Sequence, residues 1–238
     1  IVRSIPAGDP AVWRCIAINT NAEPFAGTIE ATIELPFENG EPHRQVDPEA
    51  LDAPVRFVPV NAKITAVRTH DGEVVPVQVI GEEFVTSFVM SRYETPWALR
   101  ARRVTMLWHG KVPACGYAAF DLMIDGSEAP PVRSFKPVGA ADRSAENEFL
   151  RLLVNDDGTV DVVDRRTGTR HTRCGGFEDV GDVGDEYNHS PPASNPRVTS
   201  ADASDVRITR VHAGPMRAAF RIDITLPIPE GASPDRSS

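Results

Sequence analysis

The chain has 238 residues, of which 41% are hydrophobic and 25% charged, and this is the composition of an ordinary globular protein. Its net charge of −9 would repel a nucleic-acid backbone, and no apolar run approaches the roughly 18 residues of a membrane span. We therefore expect neither nucleic acid nor membrane among its partners. The 17 glycines and 21 prolines predict many turns.

Apolar and polar residues alternate along much of the chain, a pattern typical of strands with one buried face. In chain order, the alternating segments are residues 12–18, 28–35, 104–108, 118–124 and 216–226. Pro227 would end the last of these, because proline cannot donate a hydrogen bond to a neighbouring strand. The pattern predicts a protein built from strands.

Two Asp-Gly pairs indicate hairpin turns between such segments. Asp71-Gly72 separates residues 64–69 from 74–80, and Asp157-Gly158 separates residues 149–154 from 159–164. No long helical stripe is visible, and only residues 98–103 have the composition of a short helical turn. The sequence therefore predicts an all-β, sandwich-like fold with antiparallel neighbours.

The composition changes near residue 125, where a small, polar, proline-rich stretch begins. We place a β-sandwich module at residues 1–128, a linker at 129–145 and a second β module at 146–238. The second module has too few strands to close a core, so we expect possible self-association of the chain on its own.

The three cysteines, Cys15, Cys115 and Cys174, are far apart in the sequence and form no C-x-x-C pair. This spacing argues against a zinc site and against a disulfide framework, and it predicts a reducing, cytoplasmic location. The chain begins with Ile1 and shows no apolar signal core, from which we expect a piece of a longer polypeptide.

The segment 177–192 concentrates five carboxylates, two glycines and further polar groups in a stretch without a strand period. One interpretation is a binding loop, in which carboxylates accept hydrogen bonds from sugar hydroxyls and Tyr187 stacks on a pyranose. The other is a solvated acidic loop. Its aspartates recur every third residue, unlike the usual calcium-binding ladder, and the chain contains no nucleophile elbow and no histidine pair at metal-ligand spacing.

Residues 146–168, with the sequence ENEFLRLLVNDDGTVDVVDRRTG, resemble the opening of the C-terminal β-domain in glycoside hydrolase family 38. The loop that follows, from Phe177 to Pro192, is similar to the next segment there. Two shorter stretches, INTN at residues 18–21 and VPACGY at residues 112–117, are similar to parts of the preceding sandwich in that family. The resemblance covers nearly the whole chain.

The resemblance implies a small antiparallel β-sandwich followed by part of a galactose-mutarotase-like supersandwich. In the family, α-mannosides are hydrolysed with retention by an aspartate nucleophile and a zinc ion. The residues responsible lie in an N-terminal barrel and the helical region after it, and neither has a counterpart in this sequence. We therefore expect no catalytic residue, cofactor or metal in this chain. The implied partners are the missing barrel and a carbohydrate substrate, and Asp182, Asp185 and Tyr187 are the expected substrate-binding residues.

The function predicted in this way is a structural and substrate-lining fragment of an α-mannosidase, inactive alone. Whether to call the chain an enzyme stays open at this point. A free-standing carbohydrate-binding or adhesion sandwich is the alternative from another class, and a sandwich that only holds subunits together is a third. The sequence upstream of Ile1 would separate these hypotheses.

Overall fold

A computed structural model describes residues 12–37, 57–90, 96–124, 136–195, 197–231 and 233–235. Within these ranges the chain is all β apart from one 3₁₀ turn, Ser200–Asp202, and no helix is long and apolar enough to cross a membrane. The chain divides into two compact units, Ile1–Phe135 and Lys136–Ser238. This division falls inside the stretch predicted to be a linker.

The first unit contains seven described strands, which form two antiparallel sheets. They are β1 (Arg14–Asn19), β2 (Phe25–Pro36), β3 (Ile64–Thr69), β4 (Val74–Pro76), β5 (Gln78–Met90), β6 (Pro96–Val112) and β7 (Gly116–Ile124). One sheet has the order β1-β7-β3-β4 and the other has the order β2-β6-β5. The alternation at residues 28–35 and 118–124 therefore predicted β2 and β7 correctly.

The core of the first unit lies between these two sheets. Leu35 of β2 and Trp108 of β6 are buried from one side, and Val67 of β3 and Phe120 of β7 are buried from the other. The rings of Trp108 and Phe120 meet edge to face with their centroids 5.3 Å apart. Packing of both sheets through one apolar layer is what defines a β-sandwich, so the predicted class is confirmed.

Two local expectations for the first unit were wrong. Residues 98–103 are not a helical turn but part of β6, which pairs with β2 on one side and β5 on the other. Ladder hydrogen bonds from two neighbours override the weak helical preference of a six-residue stretch. Residues 74–80 are not one strand, because β4 ends at Pro76 and the chain enters the other sheet as β5.

The second unit begins with a five-stranded antiparallel meander, which is followed by two separate strand pairs. Its strands are β8 (Gly139–Ala140), β9 (Ser144–Glu146), β10 (Leu150–Val154), β11 (Val160–Asp164), β12 (Arg170–Cys174), β13 (Glu178–Asp179), β14 (Val198–Thr199), β15 (Asp205–Ala213) and β16 (Ala218–Thr225). The meander has the order β12-β11-β10-β9-β8, and the pairs are β13-β14 and β15-β16. The end of the predicted linker thus contributes β8 and most of β9 to this unit.

The predicted hairpin at Asp157-Gly158 is present as β10 and β11, and the alternating segment 216–226 contains β16. Gly158 has φ +79°, and a methyl group there would lie 2.6 Å from Ile224 Cδ1 and 3.0 Å from Ile222 Cγ2. The turn between β10 and β11 therefore lies directly against apolar side chains of β16. Glycine meets both the backbone and the packing requirement at this position.

Candidate functional site

The loop between β13 and β14 contains all three residues predicted to bind substrate. Its ends are held together by antiparallel pairing of Glu178 with Thr199 and of Asp179 with Val198. Further along, Gly181 N donates to Asn195 Oδ1 at 2.6 Å, and Val183 N donates to Ser190 O at 2.9 Å. Hydrogen bonds therefore connect the two sides of the loop, although its described residues have no regular secondary structure beyond the β13–β14 pairing.

Asp182 fastens the two sides of this loop to each other. Its Oδ1 accepts hydrogen bonds from Gly184 N at 2.9 Å and from Ser190 N at 2.8 Å, and its Oδ2 lies 3.4 Å from His189 Nδ1. The two backbone N–H groups favour the charged carboxylate and so lower the pKa of Asp182. Gly184 is required here because a side chain would collide with Asn188 O.

Asp185 organises the tip of the loop in the same manner. Its Oδ1 accepts from Tyr187 N at 2.9 Å, from Asn188 N at 2.8 Å and from Asn188 Nδ2 at 3.3 Å. These donors, the backbone ones first, lower the pKa of Asp185, so the carboxylate is charged at neutral pH. In the described part of the chain, no hydrogen bond reaches its Oδ2.

Tyr187 projects from the tip that Asp185 holds, and 85% of its surface is exposed. An aromatic ring exposed to this extent buries little apolar area within the chain. A rigid tip with an exposed ring and adjacent carboxylate oxygens has the groups needed to contact a polyhydroxylated ligand. The structure thus places Asp182, Asp185 and Tyr187 in one loop, with two of them fixing its shape.

The described residues contain no group of three or more His, Cys, Asp or Glu side chains arranged to hold a metal ion. In the loop, the Oδ1 atoms of Asp182 and Asp185 are directed at backbone N–H donors, which is the opposite of what a cation site needs. The expectation of zinc concerns the barrel of a parent enzyme and stays a prediction.

The hairpin that precedes the loop contains the NDDGTVD part of the family-like segment, and its polar side chains form one network. Asp157 Oδ1 accepts from Thr159 N at 3.0 Å and from Thr159 Oγ1 at 2.6 Å. Asp161, which is only 8% exposed, accepts from Asn155 Nδ2 at 3.0 Å and from Arg173 N at 2.9 Å through Oδ1.

Asp161 Oδ2 accepts from Arg170 Nη2 at 2.6 Å, so this one carboxylate joins the turn, β11 and β12. These hydrogen bonds, with the one from Arg170 first, lower the pKa of Asp161 to about 2. The network is therefore structural: both oxygens of Asp161 accept hydrogen bonds from the protein itself, and Asp157 Oδ2 lies 2.6 Å from Arg173 Nη2 in an ion pair. Sequence reasoning identified this motif but gave its side chains no role.

The two shorter family-like stretches of the first unit meet each other. Ile18 pairs with Tyr117 and Asn19 pairs with Gly116 in the β1–β7 ladder. The buried Asn19 side chain also donates from Nδ2 to Pro113 O at 3.1 Å. The two motifs thus form one structural junction.

The first unit also has a cleft of about 910 Å³ that sequence reasoning did not find. It lies at one end of the sandwich, where the start of β2, the end of β6, part of β7 and the β3–β4 turn come together. Its lining includes charged side chains of both signs and the aromatic residues Phe25 and Tyr117. No local motif marks it, because its residues are distant in the sequence.

Two solved structures share the fold of this chain. An α-mannosidase from Enterococcus faecalis V583 superposes with a TM-score of 0.68 at 20% identity, covering 97% of this chain and 25% of that one. A glycosyl hydrolase family 38 protein from Enterococcus faecalis gives a TM-score of 0.62 at 21% identity, covering 90% of this chain and 24% of that one. The fold is therefore that of a β-sandwich region of a glycoside hydrolase.

A curated protein of Halalkalibacterium halodurans, named "Putative mannosylglycerate hydrolase", is 30% identical over 87 residues, which are 37% of this chain and 10% of that protein. No protein-family model matches the chain. Together with the two structures, this relative confirms the resemblance to glycoside hydrolase family 38 that the motifs predict. The chain spans about a quarter of the length of the matched structures and a tenth of this relative.

Proposed function

We propose that this chain is an accessory β-region of an α-mannosidase-type family 38 enzyme, with a structural and substrate-lining role, and that it has no activity alone. The observation that carries this proposal is the extent of the structural match. The match includes 97% of this chain but only a quarter of an α-mannosidase, which leaves most of that enzyme without a counterpart here. The partners proposed on this basis are the catalytic barrel of the same polypeptide and a carbohydrate substrate.

Within this proposal, the loop between β13 and β14 forms part of the sugar site. Tyr187 is the contacting side chain because its ring is 85% exposed at a tip that hydrogen bonds hold in place. Asp185 contributes its Oδ2 to substrate while its Oδ1 holds the tip. Asp182 acts as a positioning residue, because its Oδ1 and Oδ2 both face groups of the loop itself.

The proposed lack of activity is tested with the chain as it stands. Hydrolysis of an aryl α-mannoside, measured with and without added zinc, should not exceed the buffer rate, and metal analysis should find no stoichiometric zinc. Turnover that is lost when an acid between Glu178 and Glu186 is replaced by its amide would refute the accessory role.

The substrate-lining role is tested in the parent enzyme. Asp185→Ala should lower kcat/KM by roughly ten- to a hundredfold, and Tyr187→Phe by a smaller factor, because a hydrogen bond to a charged group is worth more than one between neutral groups. Asp156→Ala is the matched control, since that side chain is 94% exposed and lies outside the loop. Wild-type kinetics in both loop variants would return the segment to the class of solvated acidic loops.

We also propose that the chain self-associates when it is isolated. Phe149, Leu153 and Phe177 of the second unit are 61%, 43% and 60% exposed, so these large apolar side chains are available to a second copy of the chain. Light scattering at increasing concentration should show a rising mean mass. A clean monomer with cooperative unfolding would mean that the second unit is complete as it stands.

A cytoplasmic location is proposed from the thiols. Cys15, Cys115 and Cys174 are all free, and Cys115 and Cys174 are exposed, a state that an oxidising compartment does not preserve. Thiol titration of the protein purified from cells without reductant should find three free thiols. A mixed or intermolecular disulfide in freshly lysed cells would contradict the proposed location.

A further inference from the structure

We propose that the cleft at the end of the first unit is a binding site for a neutral saccharide. Its volume of about 910 Å³ lies within the range of small-molecule sites, which is roughly 300 to 1,000 Å³. Its described lining residues all belong to the first unit, whereas the loop between β13 and β14 belongs to the second. The inference is therefore independent of the function proposed for that loop.

The apolar wall of the cleft is built on a pair of glycines. Gly27 of β2 and Gly110 of β6 lie directly opposite each other in the ladder. A methyl group on Gly27 would lie 3.1 Å from Phe25 Cζ, so the Phe25 ring lies against the backbone of its own strand. A methyl group on Gly110 would lie 2.6 Å from Ile29 Cδ1 and 3.0 Å from Phe120 Cζ.

Because neither glycine has a side chain, the neighbouring apolar side chains pack directly against the backbone of the sheet. Phe25 is 40% exposed although one side of its ring is covered by Gly27, and this exposed part lines the cleft. An aromatic surface held in this manner is already ordered before a ligand arrives. Binding to a preformed surface loses less conformational entropy than binding to a mobile one.

The polar lining carries no net charge. Its charged side chains are Arg14, Arg68, Lys111, Asp71, Glu73 and Asp121. Arg14 and Asp121 form a bidentate ion pair, with Nε to Oδ1 at 2.5 Å and Nη2 to Oδ2 at 2.9 Å. Burial, together with the nearby Lys111, lowers the pKa of His109, so that imidazole is neutral at neutral pH.

This balance selects among ligand classes. An anion would find as many carboxylates as cations in the lining, so the cleft has no charge preference for it. A purely apolar ligand would strip water from charged groups without replacing their hydrogen bonds. A neutral saccharide avoids both problems. Each of its hydroxyls can donate to a carboxylate or accept from a cation, and one of its C–H faces can cover the Phe25 ring.

The experiment is an NMR titration of the 238-residue chain with neutral disaccharides (mannobiose, maltose and cellobiose) and with digalacturonic acid as an anionic probe of similar size. We expect at least one neutral disaccharide to shift the amides of Gly27, Gly110 and Tyr117 in a saturable manner. Phe25→Ala should weaken that binding about tenfold, which corresponds to the loss of one aromatic contact. Gly27→Ala should weaken it as well, because the added methyl displaces the Phe25 ring.

Phe88→Ala is the matched control, since Phe88 is a 66% exposed phenylalanine of the same unit that does not line the cleft. Its binding should equal that of the wild type. Three results would overturn the proposal: no saturable shift with any neutral disaccharide, equal binding by wild type and Phe25→Ala, or binding of digalacturonic acid alone. Because the loop of the second unit is unaltered in all these proteins, failure here leaves the function proposed for that loop untouched.

Discussion

The turn between β10 and β11 and the loop between β13 and β14 use the same local chemistry for different ends. In both regions an aspartate Oδ1 accepts the backbone N–H two residues ahead, as Asp157 does from Thr159 and Asp185 does from Tyr187. In the turn, the neighbouring Asp161 also binds groups of another strand and is buried. In the loop, the hydrogen-bond partners of Asp182 and Asp185 among the described residues all belong to the loop itself.

The two regions differ in whether the aspartate also accepts hydrogen bonds from a separate strand. A carboxylate that joins separate strands contributes to the stability of the whole unit, because its hydrogen bonds are lost on unfolding. A carboxylate that bonds only within its own loop fixes the shape of that loop and leaves global stability nearly unchanged. Aspartates with similar surroundings in the sequence can therefore have opposite roles. Of the four predictions below, three test this distinction and one tests how the turn packs within the second unit.

The largest effect is expected for Asp161→Ala. The substitution removes the acceptor of three hydrogen bonds and leaves the Arg170 guanidinium and the Arg173 N–H without this partner. We expect the Tm of the second unit to fall by about 10 °C. All three tryptophans, Trp13, Trp97 and Trp108, lie in the first unit, so tryptophan fluorescence follows that unit and amide exchange of β10–β12 follows the second.

Asp156→Ala is the control, because Asp156 lies in the same turn, is 94% exposed and has Arg143 as its only partner among the described residues. A surface ion pair contributes little, so the Tm should change by no more than about 3 °C. Equal losses in the two variants would show that Asp161 does not join the strands in the manner described.

The second prediction compares two glycines with nearly the same backbone. Gly158 has φ +79° and Gly168 has φ +74°, but a methyl group meets Ile222 and Ile224 only at position 158. Gly168→Ala should cost about 1–2 kcal/mol of stability for the left-handed backbone alone. Gly158→Ala should cost about 1–3 kcal/mol more, because it also forces the turn away from β16.

Chemical denaturation of the two variants measures this difference. Equal free energies of unfolding would mean that β16 moves away from the turn without cost. A larger loss at position 168 would contradict the packing of the β15–β16 pair on this hairpin. The comparison therefore reports on the contact between two parts of the second unit rather than on the turn conformation.

The third prediction concerns acid unfolding. The folded pKa of Asp161 is about 2, which is below the ordinary value of about 3.9 that it has in the unfolded chain. Protons therefore bind the unfolded state first as the pH falls. The stability that Asp161 contributes is complete above about pH 4 and is lost as the pH falls toward 2.

Urea unfolding at several pH values, followed by amide exchange in the second unit, measures this loss. Asp161→Asn cannot titrate, so its stability should decline less steeply than that of the wild type between about pH 4 and pH 2. Parallel declines would show that other carboxylates of the second unit, such as the Arg173-paired Asp157, account for the acid sensitivity.

The sequence predicted the fold better than the site. Strands and turns leave local patterns in the sequence, whereas the cleft is formed by residues that are far apart along the chain. The alternation in β2 and the Asp-Gly turn after β10 are local signals, and each led to the right element. The prediction for residues 98–103 was wrong because pairing with two neighbouring strands, which are distant in the sequence, makes this stretch a strand. The cleft was missed for the same reason, since its lining residues belong to several strands and one turn that come together only in the folded unit.

The loop gives a more mixed outcome. Its lack of regular structure was predicted correctly, and its carboxylates were identified as the chemistry-bearing groups. The local role of Asp182 and Asp185 could also have been found, because aspartate followed two or three residues later by small or polar residues is typical of turns in which the side chain accepts a backbone N–H. The sequence does not predict that the Tyr187 ring points into solvent, because the orientation of this side chain depends on the conformation of those turns.

The smallest effect on global stability is expected for Asp182→Ala. The two N–H groups of Gly184 and Ser190 lose their acceptor, but no strand of the second unit is detached. We expect the Tm to stay within about 3 °C of the wild type, while hydrogen exchange at Gly184 and Ser190 accelerates about tenfold.

Tyr187→Ala sharpens this last comparison, because the exposed ring contributes almost nothing to the loop and should leave exchange at both amides unchanged. If Asp182→Ala instead lowered the Tm as much as Asp161→Ala, the loop would be part of the structural network and its proposed role in a sugar site would lose its physical basis. If Asp182→Ala left exchange unchanged, the remaining hydrogen bonds, among them Val183–Ser190 and Gly181–Asn195, would be enough to hold the loop. Asp182 would then be free to serve as a ligand rather than as a brace.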